Sequence, residues 1–172
     1  MIDARELRNA LGHFATGVTV VTTRSPQGEP IGVTVNSFAA LSLDPPLVLW
    51  SLAKKSWSLP AFEAASHFCI HVLAHDQQDL SDRFAKAGAD KFAGLTTFEG
   101  VGGVPLLPGG NAAFECSVDH RYEGGDHIIF VGRVEQITMR SSAPLLFYRG
   151  RYAVPEYEDT EERKRVKLTL ET

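Results

Sequence analysis

The chain has 172 residues, 44% of them hydrophobic, and carries a formal net charge of −4 at pH 7. This length supports one domain with a substantial core and is short for two. The negative charge argues against a general nucleic-acid binder or a protein of anionic membrane surfaces, because long-range repulsion opposes approach to a polyanion.

Targeting and redox signals are weak. No apolar stretch reaches the roughly 18 residues of a spanning helix, and the opening residues MIDARELRNA lack the apolar core of a signal peptide. Cys69 and Cys116 are isolated, without a Cys-x-x-Cys pair, which favours buried thiols over a disulfide. The sequence therefore predicts a cytoplasmic protein with no membrane partner.

The first third of the chain predicts one helix and three strands. Residues 3–14 place apolar side chains at helical spacing. The β-branched run 18–23 favours an extended chain. A further strand over 31–38 is followed by two prolines and an apolar strand over 47–52.

The remainder predicts helices and strands in a mainly β pattern. The predicted elements are a short helix through Phe62, a strand over 68–73, a helix from Asp76 to Gly88, a surface loop over 94–111, a hairpin of 112–122 and 127–138, and a strand over 145–148. Six or seven strands with short turns favour an antiparallel β-barrel with peripheral helices over a parallel sheet. Residues 1–154 are predicted to form the domain, and the charged residues 155–172 a tail or dimer arm.

Small hydrogen-bonding side chains cluster near the ends of two predicted strands. Thr34, Asn36 and Ser37 belong to the first strand; the second contains Ser51 near its end and is followed by Lys54, Lys55, Ser56 and Ser58. Lysines and serines before a predicted helix favour a phosphate, because the first amides of a helix are free. Together the two groups suit a flavin-like ligand, although the lysine pair is also typical of a solvated turn.

Other motifs narrow the chemistry. The nearest match to Gly-x-Gly-x-x-Gly, residues 100–105, has proline at its third glycine position, so a dinucleotide has to be held by other means. Neither Ser37 nor Ser51 lies in a Gly-x-Ser-x-Gly motif, so the sequence does not favour a hydrolase with a serine nucleophile. The sequence predicts no metal, because structural roles are favoured over zinc for the alternating residues of one strand, His67, Cys69 and His71.

A histidine lies at the predicted hairpin mouth. His127 follows Asp126 directly after a double-glycine turn. A lone histidine is more often structural, but this position leaves space for a ligand to approach. The residues alone therefore leave both a structural role and a ligand-binding role open for His127.

Taken in order, the motifs resemble the flavin reductase family of the FMN-binding split-barrel fold, the reductase components of two-component flavin monooxygenases. The resemblance runs from about residue 14 to residue 152. It is carried by ATGVTVVT (15–22), TVNSF (34–38), LDPPL (43–47), KF (91–92), GDH (125–127) and the pattern Tyr148-x-Gly-x-Tyr152. One departure is His71, where the family pattern has asparagine.

The resemblance implies an antiparallel split β-barrel, mainly β with peripheral helices, that forms a homodimer. It implies reduction of FMN or FAD by NADH or NADPH and supply of reduced flavin to a partner monooxygenase. His127 is expected beside the nicotinamide. The expected cofactor-binding residues are Thr34, Val35, Asn36, Ser37, Ser51, Leu52, Ala53, Lys55, Ser56, Ser58, Lys91, Phe92, Asp126 and Tyr152. The alternatives are a pyridoxamine-phosphate-oxidase-like flavoenzyme and a non-catalytic flavin- or haem-binding module.

Overall fold

The computed structural model describes residues 2–88 and 90–156. Within them the helices are α1 Ala4–Leu11, α2 Leu59–Ala64 and α3 Gln78–Ala85, with a 3-10 turn at Val101–Gly103. The strands are β1 Thr16–Gly17, β2 Thr19–Arg24, β3 Pro30–Val35, β4 Ala39–Leu43, β5 Pro46–Ala53, β6 His67–Val72, β7 Phe98–Glu99, β8 Pro105–Leu106, β9 Ala112–Gly124, β10 His127–Met139, β11 Leu146–Tyr148 and β12 Arg151–Ala153. The predicted division at residue 155 stays a prediction, because the tail from 157 onward lies outside the described residues.

The main sheet has seven antiparallel strands in the order β3-β2-β6-β9-β10-β5-β4. Its two edge strands, β3 and β4, do not pair with each other, although β3 and β5 approach across the opening. The sheet is thus an open, or split, barrel, and the predicted mainly β antiparallel fold is confirmed.

The interior of the barrel is aromatic. The Trp50 ring stacks on Phe130 with centroids 4.7 Å apart and meets Phe62 edge-on at 4.9 Å. Along β5 the inward residues Val48, Trp50 and Leu52 are buried. Because side chains alternate along a strand, Ser51 and Ala53 project from the other face of β5.

A second cluster of apolar residues fixes α3 against the outside of the sheet. It contains Val18, Val20, Leu73, Phe84, Leu107 and Leu145. Gly32 of β3 lies directly under the Phe84 ring, which a Cβ at this position would overlap. This close approach of helix and strand holds the carboxyl end of α3 near the end of β3.

Several predicted boundaries were wrong. The edge strand β4 was not predicted, and most of its residues are exposed, so it lacks an alternating pattern. Helix α3 begins at Gln78 and ends at Ala85 rather than running from Asp76 to Gly88. The loop over 94–111 was expected at the surface, but two of its own residues, Val104 and Leu107, are buried.

Among the described helices, none is both long enough and apolar enough to cross a bilayer.

Candidate functional site

A cleft of about 510 Å³ opens where the two sides of the split barrel approach each other. The ends of β3 and β5, the turn before α2, the carboxyl end of α3 and the start of β10 line it. The structure brings together these sequence-predicted residues: Thr34, Val35, Asn36, Ser37, Ser51, Leu52, Ala53, Lys55, Ser56, Ser58, Lys91 and His127. The lining also includes residues that the sequence did not single out, namely Val33, Trp57, Ala85, Lys86, Ala87 and Gly88.

Ser37 joins the two sides of the opening. Its hydroxyl donates to the Ser51 carbonyl at 2.9 Å and accepts from the Ser51 amide at 3.0 Å. These two bonds reproduce a rung of a β-ladder between chain segments that have no backbone pairing there. Ser37 therefore fixes the width of the cleft, and its hydroxyl has little capacity left for a ligand.

Two predicted ligand-binding residues instead attach α3 to β3. The Thr34 hydroxyl donates to the Ser81 carbonyl at 2.7 Å. The buried Lys91 ammonium donates to the carbonyls of Gly32 at 3.1 Å and Phe84 at 2.9 Å. Burial lowers the pKa of Lys91 from its ordinary value. These bonds position residues 85–88 along the cleft.

Other polar groups in the cleft are available to a ligand. The Asn36 side chain is exposed, and neither its amide nor the Ser51 hydroxyl forms a hydrogen bond within the described residues. An amide offers both donors and acceptors, and a hydroxyl offers one donor and two lone pairs. This end of the cleft suits the polar edge of a planar ring.

The turn over residues 54–58 forms a cationic end of the cleft. Lys54 is paired with Glu123, and its backbone amide donates to the Asp126 carbonyl at 2.8 Å. Lys55 lines the cleft and forms no ion pair within residues 2–88 and 90–156. Within the same residues, the backbone amides of Lys55 and Trp57 have no hydrogen-bond acceptor. A lysine beside free amides is suited to a phosphate.

His127 enters the cleft from the mouth of the β9–β10 hairpin. The ladder sets it opposite Ala53 of β5. Its Nδ1 lies 2.7 Å from an Asp126 carboxylate oxygen, and this hydrogen bond lowers the pKa of Asp126. Asp126 is exposed outside the cleft, so its contact is with the histidine. With Nδ1 held, Nε2 is the ring nitrogen left for a ligand.

Tyr152 lies outside the cleft. Its hydroxyl donates to an Asp82 oxygen at 2.8 Å and lies 2.8 Å from the Ser81 hydroxyl, so it anchors β12 on α3. Desolvation raises the pKa of Tyr152. Its connection with the cleft is indirect, through Ser81, whose carbonyl accepts from the Thr34 hydroxyl.

A second cleft of about 510 Å³ adjoins the first. The two share Trp57, Ser58, Gly88 and Lys91. Phe92, predicted as a cofactor contact, lines only the second cleft, where it meets Phe84 edge-on at 5.0 Å. Trp57 is 66% exposed at the junction. The sequence signal that could have identified Trp57 is the presence of an aromatic residue between lysines and serines.

Residues 11–155 match the family described as the flavin reductase like domain. The chain belongs to this family, and the resemblance read from its motifs is confirmed. It is 52% identical over 150 residues to the FMN reductase (NADH) SmoA of Agrobacterium fabrum, covering 87% of this chain and 85% of that protein. It is also 46% identical to the flavin-dependent monooxygenase reductase subunit HsaB of Rhodococcus jostii, over 92% of this chain and 82% of HsaB.

A solved structure of the same family carries nucleotide fragments. The NADH:FAD oxidoreductase of Streptomyces globisporus, in complex with NAD and FAD fragments, superimposes with a TM-score of 0.83 at 35% identity. The alignment covers 94% of this chain and 99% of that one. The residues lining the cleft of the present chain fit a flavin mononucleotide unit, with ring-edge partners at one end and a lysine with free amides at the other.

Proposed function

We propose that this protein is an NAD(P)H:flavin oxidoreductase that reduces FMN or FAD by hydride transfer and supplies the reduced flavin to a partner monooxygenase. The observation that carries the proposal is the gathering of predicted ring-edge, phosphate and nicotinamide residues in one cleft of a chain from the flavin reductase family. Relatives named as an NADH-dependent FMN reductase and as a monooxygenase reductase subunit support the same reaction.

The two ends of the cleft bind different parts of the flavin. The Asn36 amide and Ser51 hydroxyl hydrogen-bond to the polar edge of the ring, and Ser37 keeps them at a constant spacing by bridging to the Ser51 backbone. Lys55, with the hydroxyls of Ser56 and Ser58, holds the phosphate. Donors fixed before the reaction stabilise negative charge that develops on the ring.

A nicotinamide donates the hydride and a bound flavin accepts it, so the chemistry needs no acid or base from the protein. His127 instead orients the nicotinamide against the ring. Its hydrogen bond to Asp126 holds the imidazole in one orientation at the cleft edge. Correct alignment of two reactants is itself a large contribution to rate.

Steady-state oxidation of NADH and NADPH with FMN and FAD tests this proposal. We expect turnover with at least one of the four pairs, and no turnover with any pair would contradict it. His127→Ala should lower kcat/KM for the nicotinamide by roughly 10–100-fold, which is about 1.4–2.8 kcal/mol. Flavin affinity and Tm should stay near their original values, because His127 is partly exposed.

His120→Ala is the matched control. His120 lies on the same hairpin and also bonds through Nδ1 to the preceding aspartate, at 2.5 Å, but it does not line the cleft. The control should keep its original kcat/KM. Equal losses in both variants, or a His127→Ala loss shared with flavin affinity and Tm, would remove His127 from the site.

We infer that the active form is a homodimer. Helix α1 contributes no buried residue, and its apolar side chains Leu7 and Leu11, with the following Phe14, are exposed by 48%, 65% and 77%. Such a face is expected to be covered by protein. Sedimentation of the active enzyme should give a dimer, and a monomer with full turnover would contradict the inference.

We infer that reduced flavin reaches the oxygenase by diffusion. The cleft is open to solvent and its phosphate end is exposed at Lys55, so a flavin can leave without opening of the barrel. An oxygenase separated from this protein by a dialysis membrane should therefore still turn over. Product formation only when the two proteins share a compartment would contradict release by diffusion.

A cytoplasmic location is also proposed. Cys69 and Cys116 are free and buried, and burial raises the pKa of both thiols, which suppresses the reactive thiolate. Reduced thiols fit a reducing compartment. Cell fractionation followed by assay of flavin reductase activity would test the location.

A further inference from the structure

Helix α3 supplies one wall of the first cleft and depends on other elements for its position. Its last residue and the three that follow, residues 85–88, line the cleft. The helix has only eight residues, and its N-cap, Gln77, makes no side-chain capping bond. Because helices this short are marginal without tertiary contacts, groups outside the helix determine where this wall stands.

One attachment of α3 comes from the main sheet. The Thr34 hydroxyl of β3 donates to the Ser81 carbonyl, and the Phe84 ring lies against Gly32 of the same strand. Ser81 lies about one helical turn before Ala85, where the cleft wall begins. These contacts all join α3 to β3.

A second attachment comes from the β11–β12 hairpin, which is itself joined to β1. The Tyr152 hydroxyl of β12 lies 2.8 Å from the Ser81 hydroxyl and donates to the Asp82 carboxylate at 2.8 Å. Since the Tyr152 proton is used at Asp82, the Ser81 hydroxyl is the donor in the bond between Ser81 and Tyr152. The hairpin therefore holds α3 through two consecutive residues of the helix.

The two attachments meet at Ser81. This residue is fully buried, and it bonds to β12 through its hydroxyl and to β3 through its carbonyl. Neither Ser81 nor Tyr152 is among the residues that line the first cleft. Removal of either hydroxyl therefore tests the position of the cleft wall without deleting a group that lines the cleft.

We propose that Ser81 and Tyr152 are positioning residues, whose hydrogen bond fixes the carboxyl end of α3 relative to the turn over residues 54–58 and thereby sets the affinity for flavin. A helix held only at β3 is free to shift against that turn, and a shifted wall weakens every ligand contact that depends on the width of the cleft. The inference rests on the proposed function, since that function assigns the first cleft to a flavin.

The two tyrosines of the β11–β12 hairpin provide a matched pair of variants. Tyr152→Phe removes the hydroxyl and keeps the ring in its apolar cluster. Tyr148→Phe makes the same change at an exposed tyrosine, whose hydroxyl forms no hydrogen bond within the described residues. Ser81→Ala removes the other hydroxyl of the bond and keeps the carbonyl that accepts from Thr34. It also favours the helix, because alanine has the highest helix propensity.

Fluorescence titration and steady-state kinetics are measured with FMN or FAD, whichever gives the higher turnover in the original protein. Tyr152→Phe and Ser81→Ala should each raise the Kd and the KM of that flavin by about 3–10-fold, the range for loss of one neutral hydrogen bond. The values of kcat and of the KM for NADH should stay within twofold, because His127 and the ring-edge groups of Asn36 and Ser51 lie outside α3.

The double variant and the control complete the test. Because both hydroxyls belong to one interaction, Tyr152→Phe combined with Ser81→Ala should show the loss of a single variant rather than the sum of two. Tyr148→Phe should keep the original flavin Kd and KM.

A lower Tm with an unchanged flavin Kd in Tyr152→Phe and Ser81→Ala would assign the bond to stability alone and overturn the proposal. Additive losses in the double variant, equal losses in Tyr148→Phe, or losses shared with kcat and the KM for NADH would overturn it as well. Turnover with an unchanged flavin KM in the variants would defeat the positioning role alone. Absence of turnover of the original protein with every flavin would defeat the proposed function itself.

Discussion

Protonation of His71 is expected to destabilise the fold. The ring is buried between β2, β6 and β8, where Nδ1 donates to the Val20 carbonyl at 3.1 Å and Nε2 accepts from the Leu107 amide at 3.1 Å. This pair of bonds requires the neutral imidazole, because a protonated ring has no acceptor. Burial lowers the pKa of His71 from 6.5 to about 4, against a smaller opposing contribution from the Val20 hydrogen bond.

The direction of the pH dependence follows from the lowered pKa. As the pH falls below 6.5, the unfolded chain binds a proton at His71 that the folded chain does not. The stabilising contribution is therefore complete above pH 6.5 and is lost as the pH falls towards 4. Between pH 6.5 and pH 4 the contribution that is lost is about 3 kcal/mol, at about 1.36 kcal/mol per pKa unit.

Urea unfolding between pH 7 and pH 4 measures this effect. The free energy of unfolding should fall by about 3 kcal/mol more in the original protein than in His71→Asn. The exposed His75, which follows β6, provides the control. In His75→Asn the free energy of unfolding should keep the pH dependence of the original protein. An identical pH dependence for the original protein and His71→Asn would refute the reasoning.

Two further variants test the cleft. Ser37→Ala should lower the free energy of unfolding of the flavin-free protein by about 1–3 kcal/mol, because the Ser51 amide and carbonyl lose their partner; unchanged stability in denaturant titration would assign the hydroxyl to the ligand instead. Lys55→Ala combined with Ser56→Ala should weaken FMN by about 1.5–3 kcal/mol, the usual range for charge-assisted bonds, and barely affect riboflavin. Equal losses for the two ligands in a fluorescence titration would contradict a phosphate site.

Local patterns were sufficient to predict the strands that build the site. The apolar run that follows two prolines identified β5, and the alternation of apolar and polar residues identified β9, because burial of one face imposes a period of two on the sequence. The ordered motifs identified the family, and with it most residues that line the cleft.

The sequence did not predict how individual side chains are used. Ser37 and Thr34 line the cleft, and their contact with a ligand stays a prediction, but the sequence did not predict that their hydroxyls bond to backbone groups 14 and 47 residues away. Tyr152 binds α3, although its motif suggested a place beside the flavin. These outcomes depend on contacts between distant segments, which a residue's neighbours in sequence do not encode.

The sequence by itself determined the antiparallel β architecture, the family and most of the residues that line the cleft, since periodicity and short motifs are properties of neighbouring residues. Only the tertiary structure decided the open edge of the barrel, the exposed Trp57 at the junction and the second cleft beside Phe92. The burial of His71 was likewise a tertiary outcome, because the buried loop that contains Leu107 supplies its second hydrogen bond. Each of these features arises where separate segments meet, so packing of the whole chain was needed to reveal it.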